Sequence, residues 1–501
     1  MKKTRELLEN YPFFFVAIPA FIILHIEKEY HQLISYKFVY VEIISLFIAP
    51  FILFGLSLVL LRHLKKSYAY SLILILIFYF FGYAKDTLSR NFPESFVSRY
   101  TFLLPALLLI FIISFIKIRN TKSSFKRIFF FTNVLFLVFI IIDAVIIGLK
   151  DIKNISVSSG NKSSLLSGYT PCADCNKPDI YYIVFDSYTS SQTLLKEFNY
   201  NNYKIDSFLR AKEFYIVNNS KSNYNFTAYS IASCFNLNYL KDISLQKKIH
   251  SDDYLPLLTT IYNSELPAML EKEGYEIINQ SIFDFKNLPS QIPEYNIWGF
   301  ETLYQQHNIL KKIDKEIGWL IYSKLAIKPQ PYPFRKDISD RDKHDSDAIN
   351  ALDNITAMQE TQPRFIYTHI LLPHAPFSFD SLGHKIDVSG MALTSEKDKA
   401  AYVSQLAYTN SLLQKTVTNI FEKSKRPFVL IIQGDHGFKF FDNEIQKTEF
   451  SNLNAIYFPD KNYGLLYDSI SNVNTFRVVF NTFFKKNYPL LKDTSFYLKY
   501  K

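Results

Sequence analysis

Glycine is scarce, with 13 in 501 residues, and cysteine scarcer still, with 3. The first shortage excludes a glycine-rich loop of the kind that cradles nucleotide phosphates, and no such spacing occurs. The second excludes a structural zinc knuckle. Cys172-Ala-Asp-Cys175 has no second CxxC to complete it, and no thioredoxin-like pattern surrounds it. Acidic residues are also in deficit, 46 against 56 basic, for a net charge of +10. Much of that excess sits in short loops between apolar runs. It therefore reads as membrane topology rather than as a nucleic-acid surface. Aromatic residues make up 17% of the chain, with 47 Phe and 35 Tyr. Together with abundant Lys, Asn and Ile they point to an AT-rich bacterial genome.

Long apolar runs are confined to the first 150 residues. Five can be marked, Tyr11–Ile26, Phe38–Leu61, Ser67–Tyr83, Thr101–Ile116 and Ile128–Leu149. A span needs about 20 apolar residues, so the second and fifth qualify easily, and the first, short and holding Pro19, is the weakest. No small-x-small site follows that first run, which argues against a cleaved signal peptide. Lys2, Lys3, Arg5, Arg62, Lys65, Lys66, Lys117, Arg119, Lys122, Lys126 and Arg127 fall on one side of the five segments. Only Lys28, Lys37, Lys85, Arg90 and Arg99 fall on the other. The positive-inside rule puts the N-terminus in the cytoplasm, and five spans deliver everything after residue 150 to the outer face. The expectation is a multi-pass protein of a bacterial inner membrane with its C-terminal domain on the periplasmic side.

Residues 1–149 are thus expected as a five-helix transmembrane domain and 150–176, rich in Ser, Asn, Gly and Lys, as a linker. On an oxidising outer face Cys172 and Cys175 are expected to form a local disulfide without a catalytic role. Residues 177–501 are long enough for one large α/β domain. Asp179–Phe185, Arg364–Leu372 and Phe428–Ile432 read as buried strands. Gln192–Phe198, Tyr203–Lys212, Ala228–Cys234, Leu266–Lys272 and Lys399–Lys423 read as helices. That alternation predicts a mostly parallel sheet covered on both faces, with ligands gathering at the carboxyl ends of the strands.

Each residue with useful chemistry lies at such an end. Asp186 follows the first strand, His374 the second, and Asp435-His436 the third, while Thr227 stands where a helix begins. Singly, Asp186 and Thr227 read equally well as helix caps, and His369, inside an apolar run, as a core histidine. The prolines flanking His374 suggest a shaped loop. Only Gly434-Asp435-His436-Gly437 stands by itself, offering a hard oxygen and an imidazole between glycines that let the backbone turn. In this order, downstream of strands, the set reads as a site. Asp186, Asp435 and His436 would hold one divalent cation, with Thr227 completing the sphere. The metal would lower the pKa of the threonine hydroxyl, and the helix N-terminus would face the anion. His374 and His369 would stabilise the leaving group or donate a proton. One imidazole with carboxylates suits Zn²⁺ or Mn²⁺ equally, with Mg²⁺ also open.

At these residues the outer domain resembles the alkaline phosphatase superfamily, specifically its sulfatase-like branch. Five spans before an outward-facing domain look like lipoteichoic acid synthases and lipid A phosphoethanolamine transferases. The resemblance implies that Asp186, Thr227, Asp435 and His436 bind the catalytic metal, that Thr227 is the nucleophile, and that His374-Ala-Pro376 supplies a substrate-site histidine. Three departures matter. Asp186 stands where those transferases commonly carry Glu. No C/S-x-P-x-R motif exists to form a formylglycine, so sulfate-ester hydrolysis is not expected. His436 is the last histidine, so a second full metal site is not expected, although His369, Asp380 or His384 could build a partial one. Asn452–Pro459 and Asn472–Arg477 resemble the closing strand and helix of such proteins, with Arg477 structural. The implied function is a membrane-anchored phosphotransferase with a membrane lipid donor and a glycan or lipid acceptor. A phosphoesterase or sulfuric-ester-type hydrolase of the same fold, and an inactive envelope protein, are the alternatives.

Overall fold

The computed structural model describes residues 2–30, 34, 36–92, 95–160, 164–241, 243, 246–249, 253–295, 303–325, 334–358, 361–386, 395–439 and 448–500. They divide into two compact units. The first comprises Met1–Ile155 with Trp298–Phe334, the second Ser156–Ile297 with Arg335–Lys501.

The first unit is helical: α1 (Lys2–Asn10), α2 (Phe14–Glu29), α3 (Tyr36–Leu61), α4 (Leu64–Asn91), α5 (Tyr100–Asn120) and α6 (Lys126–Gly160). Four helices within α3–α6 are long and apolar enough to cross a membrane, or five spans if α1 and α2 count as one. Val59, Leu108, Phe131 and Ile141 on these helices stay exposed, as lipid-facing side chains would. The first expected span, Tyr11–Ile26, lies mostly in α2, and α1 meets α2 at 89° across a break at residues 11–13. The backbone groups freed there are met by buried Asn133 of α6. Its amide donates to the carbonyls of Leu8 and Tyr11, both at 2.9 Å, and its oxygen accepts from Phe14 N at 2.8 Å. In an apolar setting an unsatisfied group costs several kcal/mol, roughly, so the break needs that partner.

Two boundaries differ from expectation. The helix α6 runs on to Gly160, through the first residues read as linker. The stretch 298–334, expected within the outer domain, joins the first unit instead. Gly82 N of α4 donates to His307 O at 2.8 Å, and a Cβ on Gly82 would lie 2.6 Å from the His307 backbone. Lys312 Nζ reaches Asp86 at 2.5 Å and Glu316 at 2.8 Å. The pairings of Gly82 with His307 and of Asp86 with Lys312 span more than 200 residues of sequence, beyond the reach of local patterning.

The second unit carries strands β1 (Asp179–Phe185), β2 (Tyr215–Ile216), β3 (Gln246–Ile249), β4 (Glu276–Gln280), β5 (Arg364–Ile370), β6 (Phe428–Gly434), β7 (Asn454–Tyr457) and β8 (Tyr497–Tyr500). Six form one sheet in the order β2-β7-β6-β1-β5-β4, and β3 pairs with β8 separately. The pairs β1–β5, β1–β6 and β4–β5 are parallel, while β7 joins β6 antiparallel and β2 closes that side antiparallel to β7. The strands β1, β5 and β6 are buried along their whole length because both faces are covered, which is why they read as unbroken apolar runs. On one face Ile180, Tyr182, Val184 and Tyr367 pack with the helix Thr227–Phe235. On the other, Tyr181, Ile183, Phe185 and Ile370 pack with the helices Phe334–Ala357 and Ser395–Lys423. The remaining expected helices are present as Ser191–Phe198, Tyr203–Ala211 and Glu265–Lys272. Cys172 and Cys175 are joined in a disulfide.

Register sets up the rest. Phe185 of β1 stands level with Gly434 of β6 and Ile370 of β5. The residues that follow therefore share one end of the sheet. The opposite end is locked by buried Asp179, which accepts Arg364 Nη2 at 3.2 Å and Arg426 Nε at 3.1 Å.

Candidate active site

Asp186 leaves β1 with its amide donating to Ile370 O at 2.9 Å. Ser187 then takes a left-handed turn, φ 64°, and its amide donates to Asp435 Oδ1 at 2.9 Å. That turn binds the end of β1 to the end of β6 and sets the two carboxylates side by side. Gly434 and Gly437 frame the Asp435-His436 pair, and neither has positive φ. The sharp turn expected of them is replaced by close packing. A Cβ on Gly434 would lie 2.6 Å from Tyr188 O, and one on Gly437 only 2.1 Å from Thr448 O.

His436 is fully buried. Its Nδ1 lies 2.7 Å from Gly437 O, so the proton is on Nδ1 and Nε2 carries a free lone pair. That Nε2 faces Asp435 Oδ2 at 3.5 Å, Asp186 Oδ1 at 3.6 Å and the Thr227 hydroxyl at 3.4 Å. Thr227 is the first residue of its nine-residue helix, so backbone N–H groups open toward the same point.

His369 lies two residues after Tyr367 on β5 and so points to the face covered by the Thr227 helix. The Tyr367 hydroxyl engages its Nδ1 at 2.9 Å, and its Nε2 lies 3.9 Å from Asp186 Oδ2. Ligand atoms of Asp186, His369 and Asp435 lie within 4.8 Å of one another, and so do those of Asp186, His374 and His436. The expected grouping of His369 with His374 at the leaving group changes accordingly, because strand alternation turns His369 to the carboxylates. His374 has Nδ1 2.5 Å from Ala375 O, with Arg341 Nη2 at 3.3 Å. Asp380 and His384 pair with each other at 3.1 Å in an exposed loop and belong to neither group. Arg477 donates to Leu237 O and Pro489 O, both at 2.7 Å, and is structural.

The electrostatics follow from burial and close charges. Burial opposes ionisation of Asp186, but His374, His369 and His436 outweigh it and hold its carboxyl well below the usual range. Asp435 goes the other way, pushed up to about 6 by burial and then by the charge of Asp186. Burial depresses His374 to about 4 and His436 to about 3. At neutral pH Asp186 and Asp435 are thus charged, and His374 and His436 are neutral. Asp186 Oδ1, Asp435 Oδ2 and His369 Nε2 are buried without any hydrogen-bond partner. Buried polar atoms are rarely orphaned, and three acceptor atoms facing one another fit a cation.

Sequence reasoning missed three neighbours. Arg341 comes from the helix Phe334–Ala357. Lys439 lies three residues past His436, where proximity to the Asp-His pair was the available signal. Glu449, buried, accepts from Asn225 Nδ2 at 2.7 Å.

A family model described as Sulfatase matches residues 178–482. No curated protein matches the chain by sequence. Similar solved structures include the zinc complex of the C-terminal periplasmic domain of EcEptC from Escherichia coli. It is 11% identical, covering 66% of this chain and 94% of that one, with a TM-score of 0.39. The integral membrane lipooligosaccharide phosphoethanolamine transferase A (EptA) from Neisseria meningitidis is 13% identical, covering 95% of this chain and 94% of that one, at 0.37. The phosphonate monoester hydrolase of Agrobacterium radiobacter is 12% identical, covering 61% and 73%, at 0.35.

Proposed function

The chain belongs to the sulfatase family, and on that premise we propose that it is a membrane-anchored, metal-dependent phosphotransferase. It takes a phosphoryl head group from a membrane lipid and passes it to an envelope glycan or lipid through a phospho-Thr227 intermediate. The observation that carries this reading is the orphaned trio of Asp186 Oδ1, Asp435 Oδ2 and His369 Nε2, gathered where the Thr227 hydroxyl meets His436. The lack of a formylglycine motif turns the reading from sulfate esters to phosphoesters.

Asp186, Asp435, His436 and His369 would hold one divalent cation, with Thr227 as its fifth neighbour. When bound, such an ion supplies positive charge that eases loss of the threonine proton and offsets charge on a phosphoryl oxygen. Thr227 Oγ1 attacks phosphorus, the bond to the diacylglycerol oxygen breaks, and that oxygen leaves with a proton. The acceptor hydroxyl then attacks the same phosphorus, the bond to Oγ1 breaks, and Thr227 is restored. Helix N–H groups and the Arg341 guanidinium offer donors to the phosphoryl oxygens. His374, with Nδ1 directed at Ala375 O and held neutral by burial, presents Nε2 as a hydrogen-bond acceptor that can orient the incoming hydroxyl. The N-terminal helices keep the site at the outer leaflet, where donor and enzyme meet in two dimensions.

The test is diacylglycerol release from mixed phospholipid vesicles by the full-length protein, with Zn²⁺, Mn²⁺ or chelator, beside Thr227→Ala. Metal-dependent release lost in the variant is expected. Release that survives in Thr227→Ala would sink the nucleophile, and its absence under every metal would sink the lipid donor.

A further inference from the structure

We propose that Lys439 is a substrate-binding residue of this site, its ammonium receiving a non-bridging oxygen of the phosphoryl group as it passes to and from Thr227. The inference rests on the phosphotransfer reading above.

The stretch after His436 is pinned at two points. Gly437 N donates to Glu449 O at 2.8 Å, and Phe438 N donates to Thr189 Oγ1 at 2.9 Å. The Phe438 ring is wedged among aromatics, 4.6 Å from Tyr402 and 5.2 Å from Phe198. With Phe438 buried there, the backbone position from which Lys439 starts is fixed. Lys439 Nζ comes to rest 3.7 Å from the centroid of the Phe226 ring, and Phe226 is the residue immediately before Thr227. An aromatic face cradles a cation without neutralising it.

Among the described residues no carboxylate lies within ion-pair distance of this ammonium. Because Phe226 adjoins Thr227, the ammonium rests beside the proposed nucleophile, and burial depresses its pKa while Asp186, Asp435 and Glu449 oppose that shift. Glu449, the one further carboxylate that acts on it, already accepts from Asn225. A half-buried ammonium beside a group built to hold a divalent cation is repelled when that cation binds. The arrangement closes electrostatically only when an anion sits between them, and a phosphoryl oxygen is that anion. If Lys439 merely covered Phe226 with its stem, the charge would not matter.

Lys439→Met keeps the stem and removes the charge, and Lys439→Arg keeps the charge. In the full-length protein Lys439→Met is expected to lower kcat/KM for head-group release by about 10²–10³-fold, the loss typical of one preorganised donor. Metal content should stay unchanged, and Lys439→Arg should recover at least about tenfold of that loss. Release by Lys439→Met within about threefold of wild type would overturn the proposal, as would an arginine variant no better than the methionine one. Binding of inorganic phosphate to metal-loaded Thr227→Ala, with and without Lys439→Met, separates this inference from the reading beneath it. A tenfold or greater weakening, roughly, is expected even if no lipid donor is ever found, and equal affinity overturns the role of Lys439.

Discussion

With Asp435 as a metal ligand, as proposed, competition between a proton and the metal ion for its carboxylate should set the pH dependence of metal binding. Burial and the neighbouring charge of Asp186 push the Asp435 carboxyl up to about 6 in the metal-free protein. Below that pH the folded protein carries a proton where the cation must bind. Asp186, held well below the usual range by its three histidines despite its burial, stays ionised throughout and contributes no proton. His436, lowered to about 3, is already neutral and ready to bind, and His374, lowered to about 4, is neutral as well. One proton therefore has to leave for each ion bound between pH 6 and pH 4, roughly, and apparent affinity falls about tenfold, 1.4 kcal/mol, for each unit of acidification. Near pH 7 the dependence flattens, because Asp435 is then mostly charged. The assay is calorimetric titration of the full-length protein in detergent with Mn²⁺ at pH 7 and pH 5. The expected outcome is a Kd about tenfold larger at pH 5, with nearly one proton taken up by the buffer per ion at that pH. Affinity unchanged over this range would refute Asp435 as a ligand. A loss of about a hundredfold would mean a second protonated ligand, and would refute the neutral state assigned to the imidazoles.

Other perturbations have defined outcomes. Gly437→Ala would drive a Cβ to within 2.1 Å of Thr448 O, so it should cost about 3 kcal/mol, the upper end of overpacking, read as a lowered denaturation midpoint. His369→Ala should lower metal stoichiometry while Asp380→Asn leaves it unchanged, since Asp380 pairs within its own loop, with His384 and the Leu382 amide; equal loss in both would move the metal group toward that loop. Asn133→Leu should destabilise the membrane unit through three lost bonds at the α1–α2 break, by about 2–3 kcal/mol, measured as detergent-phase unfolding. Cys172→Ser with Cys175→Ser should leave head-group release at the wild-type rate, and a loss of turnover without a loss of folded protein would give the disulfide a role that its geometry does not suggest.

The parts of this protein that were legible in its sequence are those whose cause is local. The strands β1, β5 and β6 announce themselves because burial on both faces demands an unbroken apolar run, and parallel pairing then predicts chemistry at their carboxyl ends. Asp186, Asp435 and His436 sit at those ends, one or two residues beyond the last ladder pair, and could be read for that reason. His369 could not be read the same way. It lies inside a run whose every residue is buried, and only its alternation with Tyr367, known once the Thr227 helix is placed on that face, sets it apart from a core histidine as a proposed ligand. The break at α1–α2 and the return of 303–325 to the first unit depend on partners more than 100 residues away, Asn133 in one case and Gly82, Asp86 and Tyr83 in the other. Lys439 combines both kinds of cause. Its nearness to His436 is local, yet its meaning comes from Phe226, over 200 residues earlier in the chain, which holds the ammonium without cancelling it. A site assembled this way has its ligands written at strand ends, while its charge balance is decided by what the fold brings alongside them.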